Sequence, residues 1–379
     1  MPDAHPHPQK KILVVFGTRP EIIKLAPVIF ALRKSKTFKL ITLSTGQHKH
    51  MLQQFLDIFG IEPDIDLAVM KQVQTLDYLT QAITKNFATR LDKIKPDLVM
   101  VQGDTTTAFL VALTSFYRKI PVAHVEAGLR TGDIYNPFPE EVNRRFIDNI
   151  ASFYFAPTKM SEQNLLHEGA PRKRVFVTGN TVVDTLQWLK KHQDLNDQPV
   201  LHHYHIAADD PYILVTIHRR ESLGRDLKNM FSAIKQLARA NRNYSFVYPV
   251  HLNPLVKEPA EAMLGAVPNI RLLPPLDYLD FVRLMNGCHF VMTDSGGIAE
   301  EAPSFKKPVL ILRDKTERME AIAAGLAQLT GTETNAIVAK AQKLIDSPDL
   351  LARMTASRNP FGDGTASQKI VKILREHLV

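Results

Sequence analysis

Short runs of Val, Ile and Leu alternate along this chain with longer segments in which apolar positions return every three or four residues. The first pattern fits β-strands and the second amphipathic helices. Strand-like residues 12–16 precede a helical pattern at 21–34, residues 39–44 precede 50–59, and residues 98–102 precede 106–119. Further strand runs follow at 122–126 and 152–156. None shows the polar alternation of a sheet with one wet face, so helices are expected on both faces. The combination predicts βαβ units and a parallel sheet.

The pattern restarts at Tyr212. Strands are expected at 212–217, 245–250, 271–273, 289–293 and 309–312, with helices at 227–240 and 297–305. Between the two series, residues 190–210 hold four Asp, four His, one Pro and few apolar residues, the composition of a linker. The expected fold class is therefore α/β, with one Rossmann-like doubly wound domain over 11–190 and a second over 211–360. Apolar spacing at Ile370, Val371, Ile373, Leu374 and Leu378 predicts a last helix, in a 361–379 segment able to pack back on the N-terminal domain.

A chain of 379 residues, 45% hydrophobic and 23% charged, has material for two such cores. The net charge of +8 favours anionic ligands, but no run of Lys and Arg reaches five, so nucleic acid is not an expected partner. The lone Cys288 fits a reducing cytoplasm, and its place before an apolar strand suits a small buried hydrophobe. No apolar stretch approaches the roughly 18 residues that span a bilayer, so no membrane partner is expected. Residues 1–10, with three prolines, read as a flexible tail that is neither signal peptide nor anchor.

Chemistry concentrates where strands end, the place at which open α/β sheets bind ligands. Five polar segments fall there: Gly17-Thr18-Arg19-Pro20-Glu21, Gly103-Asp104-Thr105-Thr106-Thr107, His124-Val125-Glu126-Ala127-Gly128-Leu129-Arg130, His218-Arg219-Arg220-Glu221 and Asp294-Ser295-Gly296-Gly297. A helix start accounts for Thr18, Pro20 and Glu21. Arg19 and Lys24 then add two cations beside a terminus that already favours an anion, or are solvated surface charges. Asp104 is either an N-cap or a carboxylate of the site. Glu126 ends its strand, and Glu140 opens another helix after Pro137-Phe138-Pro139. Carboxylates crowded together raise one another's pKa, which prepares an acid or base near neutral pH. His218, followed by Arg219 and Arg220, suits an anionic substrate, as does His251 at the next strand end. Ser295, Gly296 and Gly297 offer a diphosphate a hydroxyl and unobstructed backbone, and Glu301, one turn on, suits ribose hydroxyls. There is no Gly-x-Gly-x-x-Gly after a strand, no Walker loop, no Gly-x-Ser-x-Gly elbow and no His/Cys ligand cluster, so neither cofactor nor metal is expected.

In this order and spacing, the segments over residues 11–364 resemble the non-hydrolysing UDP-N-acetylglucosamine 2-epimerases of bacterial polysaccharide synthesis. The resemblance implies a GT-B arrangement of the two domains with an interdomain active-site cleft, a homodimer, and an isomerase acting on UDP-N-acetylglucosamine. In that reaction UDP is eliminated to leave 2-acetamidoglucal and re-adds to give UDP-N-acetylmannosamine. By position it implies Asp104, Glu126, Glu140 and His218 as the catalytic set, and Arg19, Lys24, His251, Ser295, Gly296 and Gly297 as substrate and phosphate contacts. Glu301 matches the ribose partner and Phe281 the aromatic beside uracil, although Phe281 also fits a helix core. Ala299 stands where the family usually has Gln, and Lys315 and Met319 interrupt a usual Arg-Asp-Thr-Thr-Glu-Arg-Pro-Glu. Lys49 and His50 replace commoner Arg and Glu or Gln near the place where many bacterial members bind a second UDP-N-acetylglucosamine as activator. The alternatives are a GT-B UDP-sugar glycosyltransferase, which would need an acceptor site, and the hydrolysing epimerase, which releases free N-acetylmannosamine.

Overall fold

The structure, a computed structural model, describes residues 9–378 except 73, 198, 205, 207–209 and 317. Residues 1–8 of the expected tail lie outside the described residues, and Lys10 already opens the first strand. The side chains of Lys49 and His50 lie outside as well. The chain divides into two compact units, residues 1–188 with 361–379, and residues 189–360.

The first unit is a seven-stranded parallel sheet. Its strands are β1 (Lys10–Phe16), β2 (Phe38–Ser44), β3 (Ile65–Asp66), β4 (Leu98–Gln102), β5 (Val122–Val125), β6 (Phe153–Ala156) and β7 (Val175–Val177), in the spatial order β3-β2-β1-β4-β5-β6-β7. The connecting helices are α1 (Arg19–Lys34), α2 (Lys49–Phe59), α3 (Leu76–Ile94), α4 (Thr106–Phe116), α5 (Glu140–Ile150), α6 (Lys159–His167) and α7 (Thr181–His192). Every residue from Ile12 to Phe16 is fully buried, as expected of a strand covered on both faces. The order reverses between β1 and β4, so the segments after those strands flank the topological switch point where such sheets bind ligands.

The second unit repeats the plan with α8 (Pro199–His203), β8 (Tyr212–Thr216), α9 (Arg225–Ala240), β9 (Ser245–Pro249), α10 (Pro254–Leu264), β10 (Ile270–Leu273), α11 (Tyr278–Gly287), β11 (Val291–Thr293), α12 (Gly296–Glu301), β12 (Val309–Ile311), α13 (Met319–Ala323), β13 (Ala327–Leu329), α14 (Thr334–Asp346) and α15 (Pro348–Ala356). Its order, β10-β9-β8-β11-β12-β13, places the switch point between β8 and β11. A final helix, α16 (Ala366–Leu378), belongs to the first unit and packs on α1.

Some expected elements differ. The helix expected over 106–119 ends at Phe116, and that over 297–305 is short α12 followed by a 3-10 turn at Ala302–Phe305. Residues 190–210, linker-like in composition, belong to the second unit, where Leu195, Val200 and Leu201 are buried. Charge around these few apolar positions masked them. Among the described residues no helix is long and apolar enough to cross a membrane.

Candidate active site

At the first switch point β1 gives way to Gly17, where a Cβ would lie 2.0 Å from Thr45 Oγ1 and 2.6 Å from Thr107 Oγ1. The chain then turns into α1 around Glu21, which is fully buried. Glu21 Oε2 accepts from the Gly17 and Thr18 amides at 3.0 and 2.8 Å and from Thr18 Oγ1 at 2.8 Å, while Oε1 accepts from Thr105 Oγ1 at 2.9 Å. Glu21 thus braces the β1–α1 turn against the β4–α4 turn, a role beyond its expected complement to the helix dipole. Burial pushes its carboxyl up to about 7, against the pull of these donors.

Arg19 is exposed at the start of α1, and Lys24 ion-pairs with Glu126. Asn180 Nδ2 also donates to Glu126 Oε2 at 3.1 Å. Glu126 holds φ at +69°, a left-handed backbone that costs a non-glycine residue roughly 1–3 kcal/mol and tends to mark functional sites. Asp104 is not the helix cap: Thr105 is, accepting from the Ala108 amide at 3.0 Å. The Asp104 carboxylate instead receives Arg144, with Nε at 3.0 Å, and its carbonyl accepts from Asn143 Nδ2 at 2.9 Å. Of the adjacent pair at the start of α5, Glu140 is half-buried, whereas Glu141 is fully buried and binds Arg144, Arg145 and the Thr131 amide.

Between these strand ends lies fully buried His124, with Nδ1 2.6 Å from Asp148 Oδ1 and Nε2 2.8 Å from the Gly103 carbonyl oxygen. Arg130, the last residue of the polar segment after β5, is committed to Asp148 at 2.7 Å and Glu168 at 2.8 Å. Burial alone would raise the Asp148 carboxyl, but His124 and Arg130 outweigh it and hold the group below the usual carboxylate range. Nothing in local spacing marks Arg144, Asp148 or Asn180 as partners of residues 40, 24 and 54 positions earlier. Their signal is only that each is a polar residue buried in or beside a helix.

In the second unit, fully buried Asp294 organises the loop after β8. It accepts from the His218 amide at 3.1 Å, the Arg219 amide at 2.9 Å and Ser222 Oγ at 3.0 Å. This fixes the start of the His218 segment, whose ring is stacked on His251 with centroids 5.8 Å apart. Arg219 lies 3.9 Å from Glu221, and its Nη1 is buried without a hydrogen-bond partner among the described residues. The Ser295 amide donates to Thr293 Oγ1 at 2.9 Å, and a Cβ on Gly297 would meet nothing nearer than Ser295 Oγ at 3.9 Å. Tyr278 Oη donates to Glu301 at 3.3 Å, and Phe281 is half-buried on the same helix as Tyr278. Ala299, which stands where Gln was expected, is fully buried.

Cys288 is buried with its thiol pushed up to about 12, which makes it inert. A cavity of about 670 Å³ beside β2, β3 and α2 is lined by Ser44, Gly46, Gln53, Asp57 and Asp66, and by none of the candidate site residues. Among the described residues no group of three or more His, Cys, Asp or Glu side chains could hold a metal. The switch-point chemistry is therefore two cation-paired carboxylates in one unit, and a histidine pair with an arginine in the other.

The chain matches the family model of UDP-N-acetylglucosamine 2-epimerase over residues 30–375. It is 47% identical to the UDP-N-acetylglucosamine 2-epimerase of Yersinia pestis over 373 residues, covering 97% of this chain and 99% of that protein. Among solved structures it is similar to the Neisseria meningitidis UDP-GlcNAc 2-epimerase bound to UDP-GlcNAc, with a TM-score of 0.90, 45% identity, and coverage of 97% of this chain and 100% of that one. It is also similar to the Methanocaldococcus jannaschii UDP-GlcNAc 2-epimerase in complex with UDP-GlcNAc and UDP, with a TM-score of 0.82, 33% identity, and coverage of 97% and 99%.

Proposed function

The chain belongs to the UDP-N-acetylglucosamine 2-epimerase family, and we propose from that membership that it interconverts UDP-N-acetylglucosamine and UDP-N-acetylmannosamine. The C2 hydrogen of the sugar has no carbonyl beside it, so its removal is coupled to loss of UDP from C1. As a base takes the proton, the C2–H electron pair forms the C1=C2 bond and the C1–O bond breaks, leaving 2-acetamidoglucal and UDP. Return of the proton to the opposite face and re-addition of UDP at C1 completes the inversion. Nothing is oxidised or reduced. The steps need proton-transfer groups, and cations that stabilise the departing diphosphate.

The observation that carries this reading is the pair of carboxylates at the neighbouring ends of β4 and β5, each held by a cation: Asp104 by Arg144 and Glu126 by Lys24. Glu140 and His218 complete the proton-transfer set in this proposal. Arg19, Lys24, Arg219 and His251 serve the diphosphate, with Ser295, Gly296 and Gly297. Glu301 takes the ribose and Phe281 the uracil. The open backbone at Gly297 supports the anion assignment, as does Arg219 Nη1, buried without a hydrogen-bond partner among the described residues.

Proton NMR of the full chain with UDP-N-acetylglucosamine in D2O tests it. UDP-N-acetylmannosamine deuterated at C2 is expected. Free N-acetylmannosamine with UDP would instead mark a hydrolysing enzyme, and product without deuterium would overturn the proton-abstraction route. A homodimer, a cytoplasmic setting, a product that feeds polysaccharide synthesis, and activation by a second UDP-N-acetylglucosamine belong to the same proposal. Sigmoidal initial rates in UDP-N-acetylglucosamine would support the last.

A further inference from the structure

We propose that His124 is a positioning residue held as an imidazolium, a buried cation that locks the strand ends bearing Asp104 and Glu126 to one another. The inference rests on the reading of those two carboxylates as proton-transfer groups. His124 lies on β5, in register with Val101 of β4 and Tyr154 of β6. Its Nε2 faces the Gly103 carbonyl oxygen at 2.8 Å. A carbonyl only accepts, so that nitrogen carries a hydrogen. Its Nδ1 faces Asp148 Oδ1 at 2.6 Å, and Asp148 Oδ2 accepts from Arg130 Nη2 at 2.7 Å and from the Gly128 amide at 3.1 Å. Two such donors suit an ionised carboxylate, which also only accepts, so Nδ1 carries a hydrogen as well. Either neutral tautomer would set a ring lone pair against one of the two acceptors.

The charged groups bonded to the ring, directly or through Asp148, are paired. Asp148 comes from α5, Arg130 from the loop after β5, and Glu168, which follows α6, pairs with Arg130. Tyr154 on β6 is kept neutral by burial and by Asp148, which raise its phenol against the opposing pull of Arg174. Within this hydrogen-bonded set two cations face two carboxylates, so each buried charge has an opposite partner.

What the ring holds explains why its charge matters. Gly103, its acceptor on one side, directly precedes Asp104. Asp148, its acceptor on the other, ties down Gly128, two residues beyond Glu126. Glu126 sits in a left-handed backbone conformation that only its surroundings can maintain. One imidazolium therefore sets the spacing of both carboxylates without touching a substrate.

The ring nitrogens report this directly. In the full chain labelled with 15N-histidine, long-range proton–nitrogen correlation is run at about pH 9, well above the titration of an ordinary histidine near 6.5. One ring with both nitrogens protonated is expected there, and its signals should vanish in His124→Gln. In that variant kcat should fall at least about tenfold, with KM for UDP-N-acetylglucosamine moving less than about threefold, because misplaced proton-transfer groups slow chemistry more than binding. A wild-type spectrum with every ring neutral at pH 9 would overturn the inference even if the variant does not fold. Wild-type kcat in His124→Gln, alongside inactive Asp104→Asn and Glu126→Gln, would overturn it alone. Full activity in those two carboxylate variants would sink the site reading and leave the ring spectrum unchanged.

Discussion

Glu21 and Asp104 show how carboxylates at neighbouring strand ends serve opposite purposes. Glu21 is sealed, and its carboxyl is pushed from 4.5 up to about 7 by burial. A raised folded-state value contributes stability that is complete below about pH 4.5 and is lost as pH rises through about 7. The span corresponds to about 3 kcal/mol. Glu21→Gln should remove that slope, read as the difference between urea-unfolding free energies of wild type and variant from pH 4.5 to 7.5; parallel curves would contradict it. Asp104 is half-buried on Arg144, outside the helix cap that Thr105 provides. Asp104→Asn and His218→Ala are expected to keep the wild-type circular dichroism spectrum and lose at least about a hundredfold in kcat, the scale of a positioned acid or base. Near-normal turnover would remove either residue from the catalytic set. The strand-end carboxylates and histidines were legible because their position after apolar runs is a local signal. Whether Asp104 caps its helix was not, since that depends on Arg144, brought near only by the fold.

Among elements, the buried strands were legible because a short unbroken apolar run between polar turns suits a strand covered on both faces and little else. Helix α3 was not, although Leu79, Ile83, Phe87 and Leu91 bury one stripe at four-residue spacing. The polar positions on either side of so narrow a stripe dilute its signal, and only packing against α4 shows which face matters. Helix α16 was readable from its apolar spacing, but the residue that anchors its start was not. Asp184 on α7 accepts from the Ala366 amide at 3.2 Å, the Ser367 amide at 2.8 Å and Ser367 Oγ at 2.6 Å, acting as a cap from 182 residues away. Asp184→Ala leaves these donors unsatisfied at a cost of about 1–3 kcal/mol. Hydrogen exchange should then show loss of protection over 366–378 while β1 keeps its own. Protection unchanged in α16 would mean that Ile370, Val371 and Leu374 hold the helix without the cap.

For the whole molecule, each sheet's strand order is invisible to local pattern, because parallel neighbours are chosen by crossover packing and not by adjacent sequence. The two switch points nevertheless fall beside the polar segments, so one topological rule converts strand-end chemistry into candidate sites in both units. On the first unit, α4 and α5 pack together, and Phe116, Tyr117 and Phe146 are respectively 51%, 67% and 50% exposed. Phe146 sits 5.4 Å from Phe109, so its ring packs against an aromatic neighbour. Aromatics exposed together on one helix pair form the kind of patch that marks a subunit interface. In a two-fold dimer each such residue occurs twice, so one substitution places two charges at the interface. Light scattering should therefore give twice the chain mass of 42.7 kDa for the wild type, and Phe146→Asp should shift the mass towards one chain with little change in circular dichroism. A wild-type monomer would exclude the dimer outright. A dimer indifferent to Phe146→Asp would move the interface to another face and leave this aromatic surface without a partner.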